Sequence, residues 1–271
     1  MDLTRRGAVM GILNVTPDSF SDGGRHAAVA EALAHARRMI AEGAEIIDVG
    51  GESTRPGSKA VPVEEEISRT RPVIEALRAE WEGSISIDTW KADVAAAALA
   101  AGADIVNDIS GLTADSDMTR ICRENGCGVV VMHRQGTPET MQVAPHYDDV
   151  VAEVRAFFQE RLATLTAAGL DPRTLCFDPG IGFGKGHEHN LALLRHLDDL
   201  APAGFPLLLG VSRKSFIGRI LGSERMEDRE WPTVALTARA RQLGVRLHRV
   251  HEVRPNVESL RMVEAIADVS S

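Results

Sequence analysis

Short apolar runs alternate along the chain with longer stretches of helical spacing. The runs are Ala8–Ile12, Ile46–Val49, Ile85–Ile87, Ile105–Val106, Val129–Met132, Leu175–Phe177, Leu207–Val211 and Leu247–Val250. Between them Val29, Ala32, Leu33, Ala36 and Ile40, and further on Val150, Val154, Phe158, Leu162 and Leu165, recur with the period of a helix face. Several of these stretches end at glycine, as in Ala41-Glu42-Gly43 and Ala100-Ala101-Gly102, which suits a left-handed C-cap. Strand and helix in alternation predict βαβ units and a parallel sheet. Two architectures satisfy that, an eight-stranded (β/α)8 TIM barrel and a doubly wound open sheet.

The polar residues at the end of each run decide between them. Asn14 comes after the first, and Asp48 and then Glu52-Ser53-Thr54-Arg55 after the second. Asp88 ends the third, Asn107-Asp108 the fourth, His133 the fifth and Asp178 the sixth. Ser212-Arg213-Lys214 and then Arg249 and His251 close the last two. An open sheet concentrates its ligand contacts beside one switch point, whereas a barrel uses the carboxyl ends of all its strands. The barrel is therefore the expected fold, with no Pro/Gly/Ser linker to divide residues 1–271 into more than one domain. A single Asp or Asn after a strand is commonly a helix cap, and Asp88 is placed to cap a helix starting near Lys91. Eight polar ends together are costly unless they pair with one another or with a ligand.

Charge and composition narrow the partners. The 271 residues carry a formal net charge of −9, with 44% hydrophobic and 25% charged residues. That is a globular composition without the basic surface that nucleic acid requires. Cys122, Cys127 and Cys176 are too few and too odd in number for a disulfide framework, which points to a reducing compartment. Met1 to Gly7 is polar and no run of apolar residues is long enough to span a bilayer, so a cytoplasmic protein without membrane contact is expected.

The strand ends suggest a chemistry. Asp88, Asn107 and Asp178 offer acceptors and an amide that can read the N–H and carbonyl edge of a flat heterocycle. Lys214 and Arg249 add cationic donors for a ring nitrogen, a carbonyl or a phosphate. Arg213 and Lys214 at the start of a helix would oppose its dipole, a clash that a bound anion would offset. The glycine-rich run Asp178–Lys185 lacks phosphate-loop spacing and reads as close backbone approach to a ligand, with Phe183 as an apolar wall. Two loops, Thr16–Gly24 and Gly50–Lys59, are longer than ordinary strand-to-helix turns, and long loops at a barrel's active face carry function.

These residues fall into a known order. Met10-Gly11-Ile12-Leu13-Asn14-Val15-Thr16-Pro17-Asp18-Ser19-Phe20-Ser21-Asp22-Gly23-Gly24 resembles the first loop of the bacterial dihydropteroate synthases, and Asp48-Val49-Gly50-Gly51-Glu52-Ser53-Thr54-Arg55-Pro56-Gly57 their second. Ser86–Thr89, Val106–Gly111, the Asp178 loop, Ser212–Ser215 and Arg249–His251 follow in the same sequence. The resemblance implies joining of a dihydropterin diphosphate to 4-aminobenzoate. It implies a pterin site of Asp88, Asn107, Met132, Asp178, Phe183, Lys214 and Arg249, and a diphosphate site of Asn14, Thr54, Arg55, Arg249 and His251. It further implies Mg2+ near Asn14 and an aminobenzoate site of Phe20, Thr54, Pro56 and Ser215. Lys214, Arg249, His251 and Asp22 are the expected catalytic groups, sulfonamides the expected competitors, and a homodimer the expected assembly. A pterin-binding methyltransfer module would share only part of this set, and the other alternative is a non-catalytic paralogue that binds a pterin without turnover. The chain departs from the family at Glu230-Trp231-Pro232-Thr233-Val234, where Pro232 suits the first position of a helix, and at Glu252, where Asp is more common.

Overall fold

A computed structural model describes residues 6–16, 24–55 and 57–268. Its strands are β1 (Ala8–Asn14), β2 (Ile46–Gly50), β3 (Ser84–Asp88), β4 (Ile105–Asp108), β5 (Gly128–Met132), β6 (Leu175–Asp178), β7 (Leu208–Leu209) and β8 (Leu247–Val250). The helices are α1 (Gly24–Ala41), α2 (Val63–Arg78), α3 (Ala92–Ala100), α4 (Met118–Asn125), α5 (Val150–Ala167), α6 (His187–Arg195), α7 (Ser215–Leu221), α8 (Glu230–Gln242) and α9 (Val253–Asp268). The strands run parallel in the order β6-β5-β4-β3-β2-β1-β8-β7, and a bridge between Phe177 and Leu207 joins the two ends. The result is the expected eight-stranded barrel with helices between its strands.

The strands read as continuous apolar runs because both faces are buried, one against the helices and one inside the barrel. Val9, Ile47, Val49, Ile85, Ile87, Val106, Val129, Val131 and Phe177 pack outward under the helices. Ala8, Met10, Ile46, Val130, Cys176, Leu208 and Leu247 form a separate cluster inside. Because side chains alternate along a strand, the residues two places further on share the inner face. For four of these strands they are Asp48, Met132, Asp178 and Arg249, with Asn107 two beyond Ile105. The interior is thus apolar at its base and polar towards the carboxyl ends.

Helix endings follow the glycines, with Gly43 at φ 103° and Gly102 at φ 111°. Two expectations change in detail. The seventh strand is only Leu208–Leu209, shorter than the apolar run Leu207–Val211, because Leu207 makes the closing bridge and the chain then turns towards α7. Pro232 is the third residue of α8, not the first, since a 3-10 turn at Glu227–Arg229 leads into the helix. It is tolerated there because the first turn's N–H groups have no intrahelical acceptor.

Candidate active site

The polar inner residues converge on Arg249. Its Nε donates to Asp48 Oδ2 at 2.6 Å and its Nη2 to Asp88 Oδ2 at 2.6 Å, while Asn107 Nδ2 donates to Asp48 Oδ2 at 3.1 Å. Strand register explains the meeting, since Asp88 sits beside Asn107 and Asp48 beside Ser86. Asp88 therefore does not cap α3; the Ala92 amide donates to Asp115 Oδ2 instead. Asp178 holds the Gly180 amide through Oδ1 at 2.7 Å. A Cβ on Gly210 would lie 3.9 Å from both Asp178 Oδ2 and Arg249 Cβ, so the missing side chain leaves a gap between the two.

Lys214 reaches in from the loop before α7. Its ammonium donates to the Ile181 carbonyl and stands 4.6 Å from the centre of the Phe183 ring. The chain can approach it there because Gly182, at φ 83°, has no side chain; a Cβ would meet Lys214 Cδ at 3.2 Å. Met132 is buried beside Gly180 and pairs in register with Asp178. The seven residues expected at the pterin site thus lie at the carboxyl ends of the strands and in the loops after β6 and before α7.

The pocket is electrostatically loaded. Burial pushes the Asp88 carboxyl up to about 7, with Arg249 opposing and Asp48 adding to the rise. Burial also raises Asp178, against the pull of Lys214. Lys214 is brought down to about 8 by burial, which Asp178 resists and Arg249 reinforces. Burial alone would lower Arg249, yet Asp48 and Asp88 hold it above its ordinary value. On β2 and β3, the buried oxygens Asp48 Oδ1, Asp88 Oδ1 and Ser86 Oγ have no partner among the described residues. Unpaired buried polar atoms are expensive in a dry interior, and these are two carboxylate acceptors and a hydroxyl that can donate or accept.

Around this floor stand the residues expected to handle the diphosphate. Ser212 Oγ lies 2.9 Å from His251 Nδ1 and accepts the His251 backbone N–H at 3.2 Å. Burial first, then Arg213, Arg249 and Arg55, press the His251 imidazole down to about 3, so it is neutral near pH 7. If the Ser212 hydroxyl donates to Nδ1, Nε2 carries the proton and becomes the free donor. Asn14 Oδ1 and the Asp88 side chain flank Gly50, where a Cβ would lie 3.6 Å from Asn14 Oδ1 and from Asp88 Cβ. Thr54 lines a small cavity with Asp88, Thr89, Trp90 and Ile109, and Arg55 is exposed. Ser215, the first residue of α7, is exposed. Phe20, Asp22 and Pro56 lie outside the described residues.

Arg213 corrects an expectation. Its cation is paired with Glu230 and with Glu252, the latter at 2.6 Å, so carboxylates of the chain itself neutralise it. The backbone there is left-handed, φ 59°, a strained state for a side-chain-bearing residue. It is held by Thr233 Oγ1, which accepts the Arg213 N–H at 3.4 Å, and by Arg229, which donates to the Arg213 carbonyl at 3.1 Å. The family departure at Glu230–Thr233 therefore clamps this loop.

Some members of the polar set are not legible as site residues from the sequence. Asp48 lies in the middle of β2 without a distinct role there, although its place two residues beyond inner-facing Ile46 is the available signal. Ser86 is equally silent. His133, one of the polar strand ends, turns away from the pocket; its Nδ1 lies 2.9 Å from the ammonium of buried Lys185.

Comparison with known proteins decides the family. The model for "Pterin binding enzyme" matches residues 10–251. The dihydropteroate synthase of Escherichia coli strain K12 is 48% identical over 260 residues, covering 95% of this chain and 90% of that protein. The chain belongs to the dihydropteroate synthase family of pterin-binding enzymes. Solved relatives agree. The Yersinia pestis dihydropteroate synthase in complex with a sulfonamide drug superposes with a TM-score of 0.92 at 44% identity, covering 99% of this chain and 96% of that one. The Xanthomonas albilineans enzyme in complex with 7,8-dihydropteroate gives 0.88 at 44% identity, with 98% and 95% covered. Among the described residues no helix is long and apolar enough to cross a membrane.

Proposed function

We propose that this protein condenses (7,8-dihydropterin-6-yl)methyl diphosphate with 4-aminobenzoate, releasing diphosphate and forming 7,8-dihydropteroate for folate biosynthesis. The observation that carries the reading is the pocket floor. Asp48 and Asp88 are joined by Arg249, the Asn107 amide donates to the same Asp48 oxygen, and Asp48 Oδ1 and Asp88 Oδ1 have no partner among the described residues. A dihydropterin supplies N–H donors to those acceptors and a carbonyl and ring nitrogen to the cations. Met132 and Phe183 supply apolar contact, and Arg249 stacks its planar guanidinium on the ring.

With the ring so held, the methylene–diphosphate C–O bond breaks and its electron pair leaves with the diphosphate. The ring nitrogens delocalise the resulting cation, and the 4-aminobenzoate nitrogen attacks it and then loses a proton. Arg249, Arg55 and neutral His251 donate to the oxygens on which charge accumulates. By likeness to the family's loops, Thr54, Phe20 and Pro56 are assigned to the benzoate ring, Ser215 to its carboxylate, and Asp22 to the catalytic groups. Excluding water keeps it from capturing the cation. The neutral amide oxygen of Asn14, beside Asp88 at the mouth, fits a Mg2+ ion that keeps its waters and leans mainly on substrate phosphate. Such an ion would offset charge on the leaving group.

The assembly proposed is a homodimer in the cytoplasm. Ile220 and Leu221 of α7, Trp231 of α8 and Met262 and Ile266 of α9 are exposed, and burying them between two copies removes apolar surface from water. Sedimentation of wild type and Trp231→Glu tests this; a monomeric wild type refutes it. Turnover is tested with both organic substrates and Mg2+. Diphosphate release that requires 4-aminobenzoate, and that a sulfonamide inhibits competitively with it, supports the synthase. Pterin binding without turnover favours a non-catalytic relative.

A further inference from the structure

One buried ion cluster lies outside the pocket and has no part in the chemistry above. Lys91, just before α3, donates its ammonium to Glu52 Oε2, Glu66 Oε2 and the Val61 carbonyl, each at 2.6 Å. Glu52 Oε2 also accepts the Val61 amide at 2.6 Å. Glu66 is 1% exposed and Glu52 7%. Two charged carboxylates and an ammonium in such a place are retained at a considerable desolvation cost, which packing alone does not require.

Their position gives the cluster a use. Glu52 and Val61 are the two stems of the loop that carries Thr54 and Arg55. One ammonium and one carboxylate tie both stems to each other and to α3, whose approach begins at Asp88 in the pocket floor. The first stem is seated closely: a Cβ on Gly51 would meet Thr70 Cγ2 at 2.7 Å, and Arg69 donates to the Gly51 carbonyl at 2.7 Å. Within the loop Ser58 Oγ donates to the Arg55 carbonyl at 2.7 Å. Glu52, Glu66, Thr54 and Asp88 line one small cavity, so the cluster and the pocket share a wall.

We propose that Lys91 is a positioning residue that clasps both stems of this loop and thereby sets Thr54 and Arg55 over the pterin floor. It touches no substrate. Its effect falls on the half-reaction that needs the loop, diphosphate departure and 4-aminobenzoate capture, and leaves the pterin floor alone. This rests on the proposed roles of Thr54 and Arg55, which wild-type turnover tests separately.

The test uses Lys91→Met/Glu66→Gln. The wild-type trio sums to −1 and the variant keeps −1 on Glu52, so the net charge of the cluster is unchanged while Glu52 loses its cation and keeps the Val61 amide. The expected result is a fall in kcat/KM for 4-aminobenzoate on the order of tenfold to a hundredfold, the scale of a small misplacement of reacting groups. Affinity for the dihydropterin alcohol, which lacks the diphosphate, stays at the wild-type value. Unchanged kcat/KM overturns the proposal, as does an equal loss of alcohol binding, which would mark a general structural role. Should that variant not fold, Glu52→Gln decides by the same two readouts, since it keeps an acceptor for the Val61 amide and removes the one of Lys91's two paired carboxylates that stands on the loop stem.

Discussion

At the pocket floor, Asp48, Asp88 and Asn107 reach one another through Arg249 and a shared carboxylate oxygen, and every contact comes from the end of a barrel strand. In the loop after β2, Thr54 and Arg55 stand on backbone held at its stems by Glu52 and Val61 and at Gly57, whose N–H donates to the Pro138 carbonyl at 3.0 Å, and Arg55 has no ion pair among the described residues. The floor is preorganised by strand register, so its geometry exists before a ligand arrives. The loop side gains its geometry from tethers and, on the proposed reading, from substrate. On the proposed reading, a pterin meets groups fixed by strand register, while the diphosphate and aminobenzoate meet groups on the loop after β2.

The sharpest way to break this contrast is Arg249→Met. It leaves Asp48 and Asp88 buried without their cation, and breaking such a pair costs about 3–5 kcal/mol of folding stability. Urea denaturation measures it; a loss under about 1 kcal/mol would mean the floor behaves like a surface ion pair. Arg55→Ala should do the reverse. It leaves the denaturation midpoint unchanged yet removes about 1.5–3 kcal/mol of transition-state stabilisation, the worth of a hydrogen bond to a charged group. If the midpoint drops with activity, the loop is part of the scaffold. Lys214→Ala and Asp178→Asn, taken singly, should each weaken dihydropterin binding by about 1–3 kcal/mol, the penalty for orphaning a buried partner. Calorimetric titration at wild-type affinity would remove either from the floor.

The same contrast explains what is legible in the residues alone. The barrel and much of the floor are, because strand ends are marked by an apolar run meeting a polar residue, and Asp88, Asn107 and Asp178 each carry that mark. Asp48 carries it too, but whether it faces inward depends on which of Ile46 or Ile47 points into the barrel, and two adjacent isoleucines conceal the period of two. Lys91 with Glu52 and Glu66, and Lys185 with His133, are pairings across distant segments that no local pattern encodes. The Arg213 clamp is a similar case: the charge clash at Arg213-Lys214 is visible in the sequence, but Glu230 and Glu252 as its answer require the fold.

The smallest effect is a pH dependence that only the floor can produce. Dihydropterin binding as proposed needs Asp88 as a carboxylate and Lys214 as an ammonium. Burial lifts the first to about 7 and lowers the second to about 8. Affinity should therefore peak near pH 7.5 and fall roughly two- to threefold, about 0.6 kcal/mol, by one unit on either side. Folding of the unliganded protein responds in the opposite sense. Asp88, with its folded value raised, contributes stability that is present at low pH and lost as pH rises through about 7. Lys214, with its folded value depressed, contributes stability that is present at high pH and lost as pH falls through about 8. For these two groups the free protein is least stable in the window where it binds best, so the stabilisation conferred by dihydropterin should be largest there. Thermal shifts across pH 6–9 measure it. Asp88→Asn should flatten the acid limb and Lys214→Ala the alkaline limb; a ligand-induced shift independent of pH in the wild type would mean that neither charge takes part in holding the ring.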